Sequence, residues 1–110
     1  MKVYLSNAFS LSMLPERSNH IFDMCTTEVP VEAIIGELDR NEDFISVVGH
    51  ETTADLFSKI LGRLVLPNQQ SIVLEQSDVL IVGQYSGPRL PEGATELPEG
   101  AKIRWFFIDF

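Results

Sequence analysis

The chain has 110 residues, 45% of them hydrophobic, and a formal net charge of −8, which is typical of one globular domain spanning residues 1–110. Its eight Lys and Arg residues are scattered, so the charge excludes a general nucleic-acid binder and we expect no binding to duplex DNA. No apolar run approaches the roughly 18 residues of a membrane span. The start lacks a signal-peptide pattern and the single Cys25 allows no internal disulfide, so we expect a cytoplasmic protein without membrane attachment.

Six segments of the chain carry the short apolar or alternating pattern that is typical of β-strands. In chain order they are residues 2–5, 20–26, 44–48, 71–75, 79–85 and 102–110. Residues 30–38 and 53–61 carry the apolar spacing of amphipathic helices. Cys25 follows an apolar run and is predicted to lie in the core. Because strands alternate with helices, we expect an α/β fold with a mixed sheet flanked by helices.

Residues 48–53 join a predicted buried strand to a predicted helix. Gly49 forms the turn, and Thr52 and Asp55 stand at the spacing of a capping box at the start of the helix. Helix N-termini attract phosphate through their first N–H groups and the positive end of the helix dipole. His50 lies directly before this helix, where an imidazole can give a proton to an oxygen that leaves a phosphate.

Polar side chains form three groups, each after a predicted strand, and we name these groups the polar islands. They are Asn7, Ser10 and Ser12; His50 and Thr52; and Arg89 and Glu92. Ligands of α/β sheets favour the edge at which strands end. The set suits phosphodiester cleavage without a metal: arginine for phosphate charge, histidine as general acid, and glutamate to orient the arginine or receive a proton. Two histidines and one cysteine make no zinc site, and the common nucleotide-cofactor motifs are absent, so we expect no metal and no cofactor.

Each of these residues also has a structural interpretation when it is taken alone. His50 suits an ordinary turn, and Asn7 and Ser10 suit turns and helix caps. Arg89 and Glu92 suit a surface ion pair, which typically contributes less than about 1 kcal/mol to stability. From residue chemistry alone, an anion-binding site is therefore a modest prediction, and the structural interpretation of each residue stays open as the alternative.

The sequence at the polar islands resembles that of the viral ring nucleases, which are anti-CRISPR proteins of archaeal viruses and bacteriophages with relatives in bacterial CRISPR loci. The resemblance lies in Asn-Ala-Phe-Ser at residues 7–10, Gly-His-Glu-Thr-Thr at residues 49–53 and Arg-Leu-Pro-Glu-Gly at residues 89–93. It covers nearly the whole chain in the same order. It implies a compact α/β homodimer that encloses cyclic tetra-adenylate, the second messenger of type III CRISPR systems, at its two-fold interface and cleaves it without metal.

The resemblance also implies roles for individual residues. His50 matches the family's catalytic histidine, and Arg89 and Glu92 match its active-site arginine and glutamate. The implied ligand-binding positions are Asn7, Ser10, Ser12, Thr52 and Gln69. Ser12 stands where relatives have asparagine, and Gln69 stands where they commonly have arginine.

The leading hypothesis is a metal-independent ring nuclease that disarms type III CRISPR immunity in the cytoplasm of the host cell. The adenosine 2′-hydroxyl attacks the neighbouring phosphate, and His50 protonates the departing 5′-oxygen. The alternatives are a non-catalytic sink or sensor for the cyclic oligonucleotide, a small viral nucleic-acid-binding regulator, and a purely structural protein. We expect a two-fold symmetric homodimer, whose apolar contact comes from the alternating Ile103, Trp105 and Phe107 face or from the helix ends.

Overall fold

Five β-strands and two α-helices form the fold of the computed structural model, which describes residues 2–16, 23–94 and 96–110. The strands are β1 (Val3–Ser6), β2 (Cys25–Val29), β3 (Ile45–Ser46), β4 (Val79–Ser86) and β5 (Lys102–Asp109). The helices are α1 (Val31–Arg40) and α2 (Glu51–Leu61), and one turn of 3-10 helix occupies Leu11–Met13. Among the described residues, no helix combines the length and apolar character needed to cross a membrane.

The five strands form one mixed sheet in the order β2-β5-β4-β1-β3. Strand β1 is parallel to both of its neighbours, β3 and β4. Strand β5 runs antiparallel to β4, and β2 runs antiparallel to β5. The predicted α/β fold with a mixed sheet is therefore confirmed. Because β1, β3 and β4 are parallel, their carboxyl ends lie at the same edge of the sheet.

Both helices pack on one face of the sheet, where the main hydrophobic core lies. At its centre the fully buried Phe57 of α2 lies against Trp105 of β5, with the two ring centroids 5.0 Å apart. Gly83 of β4 makes this contact possible, because a Cβ at that position would lie 2.6 Å from the nearest atom of each ring. The helix α2 is thus held against the sheet by an aromatic pair that fills the space above a glycine.

The face that carries Ile103, Trp105 and Phe107 is covered by the helices of the same chain. Trp105 belongs to the buried core, and the other two side chains pack against that core. The alternating pattern of this segment predicts a half-buried strand, and β5 confirms that prediction. Most of the apolar surface of this face is therefore used within one chain, while Ile103 and Phe107 are only partly buried, so a dimer contact there stays a prediction.

The other face of the sheet is covered by irregular segments of the chain. Its core contains Tyr4, Leu80 and Val82 from the strands, and the fully buried Leu74 joins them from the segment before β4. The N–H of Leu74 donates to the carbonyl oxygen of Met13 at 2.7 Å, which fixes the segments before β4 and after β1 to each other.

The strand predicted at residues 71–75 is absent: the structure places an irregular segment there. Leu74 is fully buried while Val73 is 58% exposed, and this alternation in burial produced the strand-like pattern. A strand also needs a free neighbour, and both sides of β4 and of β1 are taken by other strands. The outer side of β3 is bordered by the segment that contains Asn68, whose N–H donates to the carbonyl oxygen of Val48 at 2.7 Å.

The second strand begins later than predicted, at Cys25, and it extends to Val29. Residues 20–22 of the predicted strand lie outside the described residues. The prediction that Cys25 is a core residue is wrong, because β2 is an edge strand and the thiol is exposed. The polar residues that extend the strand are held by antiparallel pairing with β5, a long-range contact that local pattern does not reveal.

A tight turn at residues 75–78 leads into β4. The N–H of Asp78 donates to the carbonyl oxygen of Glu75 at 3.0 Å, and Ser77 has a φ of 81°. The buried carboxylate of Asp78 accepts from the backbone N–H groups of Glu75 and Lys2, both at 3.0 Å. The turn therefore lies at the amino end of β4, opposite the edge at which the polar islands follow the parallel strands.

Candidate functional site

One residue of each polar island lies at the same edge of the sheet, because each follows a strand of the parallel set. Asn7 comes directly after β1, His50 comes after the segment that continues β3, and Arg89 comes shortly after β4. The carbonyl oxygen of Leu5 accepts from the N–H of Val47 at 2.8 Å, which keeps the segment beyond β3 beside β1. Ligands of α/β folds bind at this edge.

The helix α2 begins two residues earlier than predicted. His50 is its N-cap, with an extended backbone, and its carbonyl oxygen accepts the first helical hydrogen bond from Ala54 at 2.9 Å. The predicted capping box at Thr52 is therefore wrong, since Thr52 is already in the first turn. The N–H groups of residues 51–53 precede the first intrahelical bond, and the His50 side chain is exposed and makes no capping bond.

A groove of about 900 Å³ lies between the first turn of α2 and the loop after β4, and we name it the helix–loop groove. It is lined by His50, Glu51, Thr52, Thr53, Asp55, Arg89, Leu90, Pro91, Glu92 and Gly93. The N–H of Gly93 donates to Oγ1 of Thr52 at 3.3 Å and connects its two walls. The structure therefore brings two of the polar islands, His50 with Thr52 and Arg89 with Glu92, into one open site.

The loop that carries Arg89 is fixed where it leaves β4. The Tyr85 hydroxyl donates a short hydrogen bond to the carbonyl oxygen of Pro88. Gly87 has a φ of 139°, and a Cβ there would lie 2.7 Å from Cα of Ala101. Any other residue at position 87 would be strained, so this glycine allows the chain to turn towards α2.

The loop contains the same β-turn twice, at residues 91–94 and at residues 98–101. In each turn the last N–H donates to the first carbonyl oxygen, at 3.1 Å and 3.0 Å respectively. The third residues, Gly93 and Gly100, have φ values of 78° and 81°, which a type II turn requires. Of the two turns, only the first supplies residues to the helix–loop groove. The second is therefore a matched control for the first.

Asn7 and Gln69 both lie close to the turn at Gly49. Oδ1 of Asn7 accepts from the N–H of Gly49 at 3.5 Å. Cγ of Gln69 lies 3.9 Å from the position that a Cβ on Gly49 would take. Both side chains therefore approach the residue before His50, although neither is among the described residues that line the helix–loop groove.

Ser10 and Ser12 are engaged with each other rather than with the helix–loop groove. Their hydroxyl oxygens lie 2.9 Å apart, and Oγ of Ser10 accepts from the N–H of Ser12 at 3.3 Å. Ser10 is thus the N-cap of the short turn at Leu11–Met13. Neither serine is among the described residues that line the groove.

The charges of the helix–loop groove are mostly negative. Glu51, Asp55 and Glu92 bring carboxylates, whereas Arg89 brings the only guanidinium among the described residues that line it. None of the three ion pairs in the described part of the chain includes Arg89 or Glu92. That Glu51 and Asp55 line the groove is not among the predictions from the sequence. A signal was available, because their spacing of four residues at the start of the helix places both on one helix face.

The chain is similar to a solved viral protein over its entire length. B116 of Sulfolobus turreted icosahedral virus (STIV) is 23% identical, with a TM-score of 0.83, and the match covers 100% of both chains. Among curated proteins, none matches the sequence. A family model described as STIV B116-like matches residues 3–104. Since these residues make up nearly the whole sequence, the chain belongs to the STIV B116-like family.

Proposed function

We propose that this protein is a metal-independent ring nuclease that cleaves cyclic tetra-adenylate and thereby disarms type III CRISPR immunity. The observation that supports the proposal most is the helix–loop groove, which joins His50, Arg89 and Glu92 at the N-terminus of α2. General acid, phosphate-binding cation and carboxylate are the groups that cleavage by an internal hydroxyl uses. The resemblance of the polar islands to viral ring nucleases supplies the identity of the ring.

In the proposed reaction the 2′-hydroxyl of one adenosine attacks the adjacent phosphorus, and the bond from phosphorus to the 5′-oxygen breaks. The His50 imidazolium gives its proton to that oxygen, and Glu92 receives the hydroxyl proton; if Glu92 instead orients Arg89, solvent water receives it. Arg89 contacts the phosphate oxygens and stabilises their charge. The products are linear and end in 2′,3′-cyclic phosphates. No electron is transferred, and each proton has a donor and an acceptor.

The N–H groups at the start of α2 add to the stabilisation of phosphate charge. Residues 51–53 present them where the helix dipole is positive. They work against the carboxylates of Glu51 and Asp55, which repel a polyanion. The ring must therefore be held by a few directed contacts rather than by a general positive field.

We propose that the active form is a homodimer, because one subunit has too few phosphate-binding groups for a ring with four phosphates. Two copies across a two-fold axis present two His50 and two Arg89 side chains to opposite sides of the ring. The apolar contact is expected from the exposed side chains of Leu11, Leu64, Leu66 and Val73, which are 75%, 73%, 59% and 58% exposed.

Sedimentation at micromolar concentration is expected to give a dimer, with or without the ring. Replacing Leu64 and Leu66 together by serine should shift the protein towards monomer and reduce ring cleavage in parallel, because both subunits contribute to the site. The single substitution Gln76→Ser, in the turn at the opposite edge of the sheet, is the control. A wild-type monomer that cleaves the ring would contradict the dimer.

The experiment that tests the proposed active site is a comparison of Arg89→Ala, Glu92→Ala and Glu99→Ala. The arginine variant is expected to bind the ring more weakly and to turn it over more slowly, because a guanidinium contacts phosphate in both ground and transition states. Glu92→Ala should lower kcat by about 10-fold or more with a small effect on binding.

Glu99→Ala is the matched control, because Glu99 occupies the same position in the second β-turn and lies outside the groove. Its kinetics should equal those of the wild type. If Glu92→Ala and Arg89→Ala also behave as the wild type does, the first turn is a surface loop and the proposed site is wrong.

A non-catalytic sink for the ring is the second candidate. It is favoured by the exposed His50 side chain, which makes no capping hydrogen bond, so that no N-cap contact orients the imidazole. A sink requires the same groove but no titratable group. The two candidates differ in one result: a sink binds the ring and leaves it intact.

A further inference from the structure

The side chains of Asn7 and Gln69 both approach the backbone turn directly before His50. Oδ1 of Asn7 accepts from the N–H of Gly49 at 3.5 Å, and Cγ of Gln69 lies 3.9 Å from the position that a Cβ on Gly49 would take. The Gln69 side chain therefore lies next to the residue that precedes His50.

The backbone beside Gln69 is fixed, whereas its side chain is available. Asn68 donates its N–H to the carbonyl oxygen of Val48 and its Nδ2 to the carbonyl oxygen of Ser46, both at 2.7 Å. The Ser46 hydroxyl donates to the carbonyl oxygen of Leu66 at 2.6 Å. Gln69 itself is exposed, and within the described part of the chain its carboxamide forms no hydrogen bond. An anchored backbone with a free side chain suits recognition of a ligand.

The chemistry of a carboxamide suits a base better than a phosphate. It carries one acceptor and two N–H donors without charge. Glutamine pairs with adenine through two hydrogen bonds, accepting from the 6-amino group and donating to N7. The phosphate-binding groups, Arg89 and the first N–H groups of α2, belong to the helix–loop groove instead. The site therefore divides into a part suited to phosphate and a part suited to a base.

We infer that Gln69 is a specificity-determining residue that binds the N6 and N7 edge of one adenine of the ring. Asn7 is a positioning residue, because it holds the Gly49 turn against which the base would lie. This inference rests on the proposed function and extends it, since it assigns the base contact to the position where relatives commonly have a cation.

The test is a comparison of two non-cleavable rings, each with 2′-O-methyl groups: one with adenine and one with 7-deaza-adenine, which lacks the N7 acceptor. The wild-type dimer is expected to bind the 7-deaza ring more weakly by about 5- to 100-fold, the range for one bidentate pair. Gln69→Leu should bind both rings with the same weaker affinity, because the partner of N7 is gone.

Gln76→Leu is the matched control, since Gln76 is an exposed glutamine in the turn at the opposite edge of the sheet. It should keep the wild-type preference for adenine. If Gln69→Leu also keeps that preference, or if the wild type binds both rings equally, the inference is wrong while the proposed function stands. If the wild type binds neither ring, the proposed function is wrong, and the inference that rests on it is wrong as well.

Discussion

Replacing His50 by alanine is expected to slow cleavage of the ring by about 10²-fold or more, while the affinity for the ring stays nearly unchanged. The side chain lies at the N-cap of α2, exposed to the helix–loop groove, and it makes no capping bond that the substitution would remove. Stability should therefore change little. The loss should appear in the rate constant for ring cleavage measured under single-turnover conditions.

A substrate with sulfur in place of the 5′-bridging oxygen separates proton donation from other roles of His50. A thiolate leaves without protonation, so the wild type and His50→Ala should cleave this substrate at similar rates. A merely structural role would slow both substrates alike. Turnover of the natural ring by His50→Ala at the wild-type rate would rule out His50 as the general acid.

Replacing Phe57 by alanine is expected to lower the free energy of unfolding by about 3–5 kcal/mol. Phe57 is fully buried, its ring lies 5.0 Å from that of Trp105, and it occupies the space above Gly83. Removal of the ring leaves a cavity between α2 and the sheet, and the neighbouring strands β4 and β5 cannot move far enough to fill it. Because whole domains of this size are stable by only about 5–15 kcal/mol, the variant should melt far below the wild type.

Chemical denaturation at fixed protein concentration measures this loss, since dimerisation makes stability depend on concentration. Leu97→Ala is the control for removal of an apolar side chain at the surface, because Leu97 is 40% exposed and is not among the side chains proposed to form the dimer contact. It should change the free energy of unfolding of the subunit by no more than about 0.5 kcal/mol. A loss below about 1 kcal/mol for Phe57→Ala would mean that α2 is not held by this aromatic pair.

The elements with strong local patterns could be predicted from the sequence. In α1 the apolar spacing placed Ile34 and Leu38 on one face, and both are fully buried. In α2 the predicted end at residue 61 is confirmed, and Gly62, which follows it, has the left-handed φ of 69° that ends the helix. Strand β4 was predicted almost to its observed ends. In these cases the residues that determine the element are close together in the sequence.

Predictions that required knowledge of distant neighbours were less successful. Residues 71–75 have a strand-like pattern, but β4 and β1 are already paired with other strands on both sides. Cys25 follows an apolar run, yet it begins an edge strand and is exposed. Burial at these positions depends on which strands are already paired, and this is a property of the whole sheet.

The candidate site was predicted in part for the same reason. The rule that ligands bind where parallel strands end placed His50, Arg89 and Glu92 together, and the structure does bring them into one groove. The rule does not give side-chain partners. Ser10 and Ser12 bond to each other and are not among the described residues that line the groove, so their part in ligand binding stays a prediction. Local hydrogen bonds of this kind decide which polar residues stay available.

The most direct measurement is incubation of the wild-type protein with cyclic tetra-adenylate in EDTA, with the products separated by chromatography. The account predicts that the ring disappears and that linear products with 2′,3′-cyclic phosphate ends replace it. A ring with 2′-O-methyl groups should stay intact although it binds. A natural ring that remains intact after prolonged incubation with the folded dimer would contradict cleavage, and it would leave the sink as the explanation if the ring is bound.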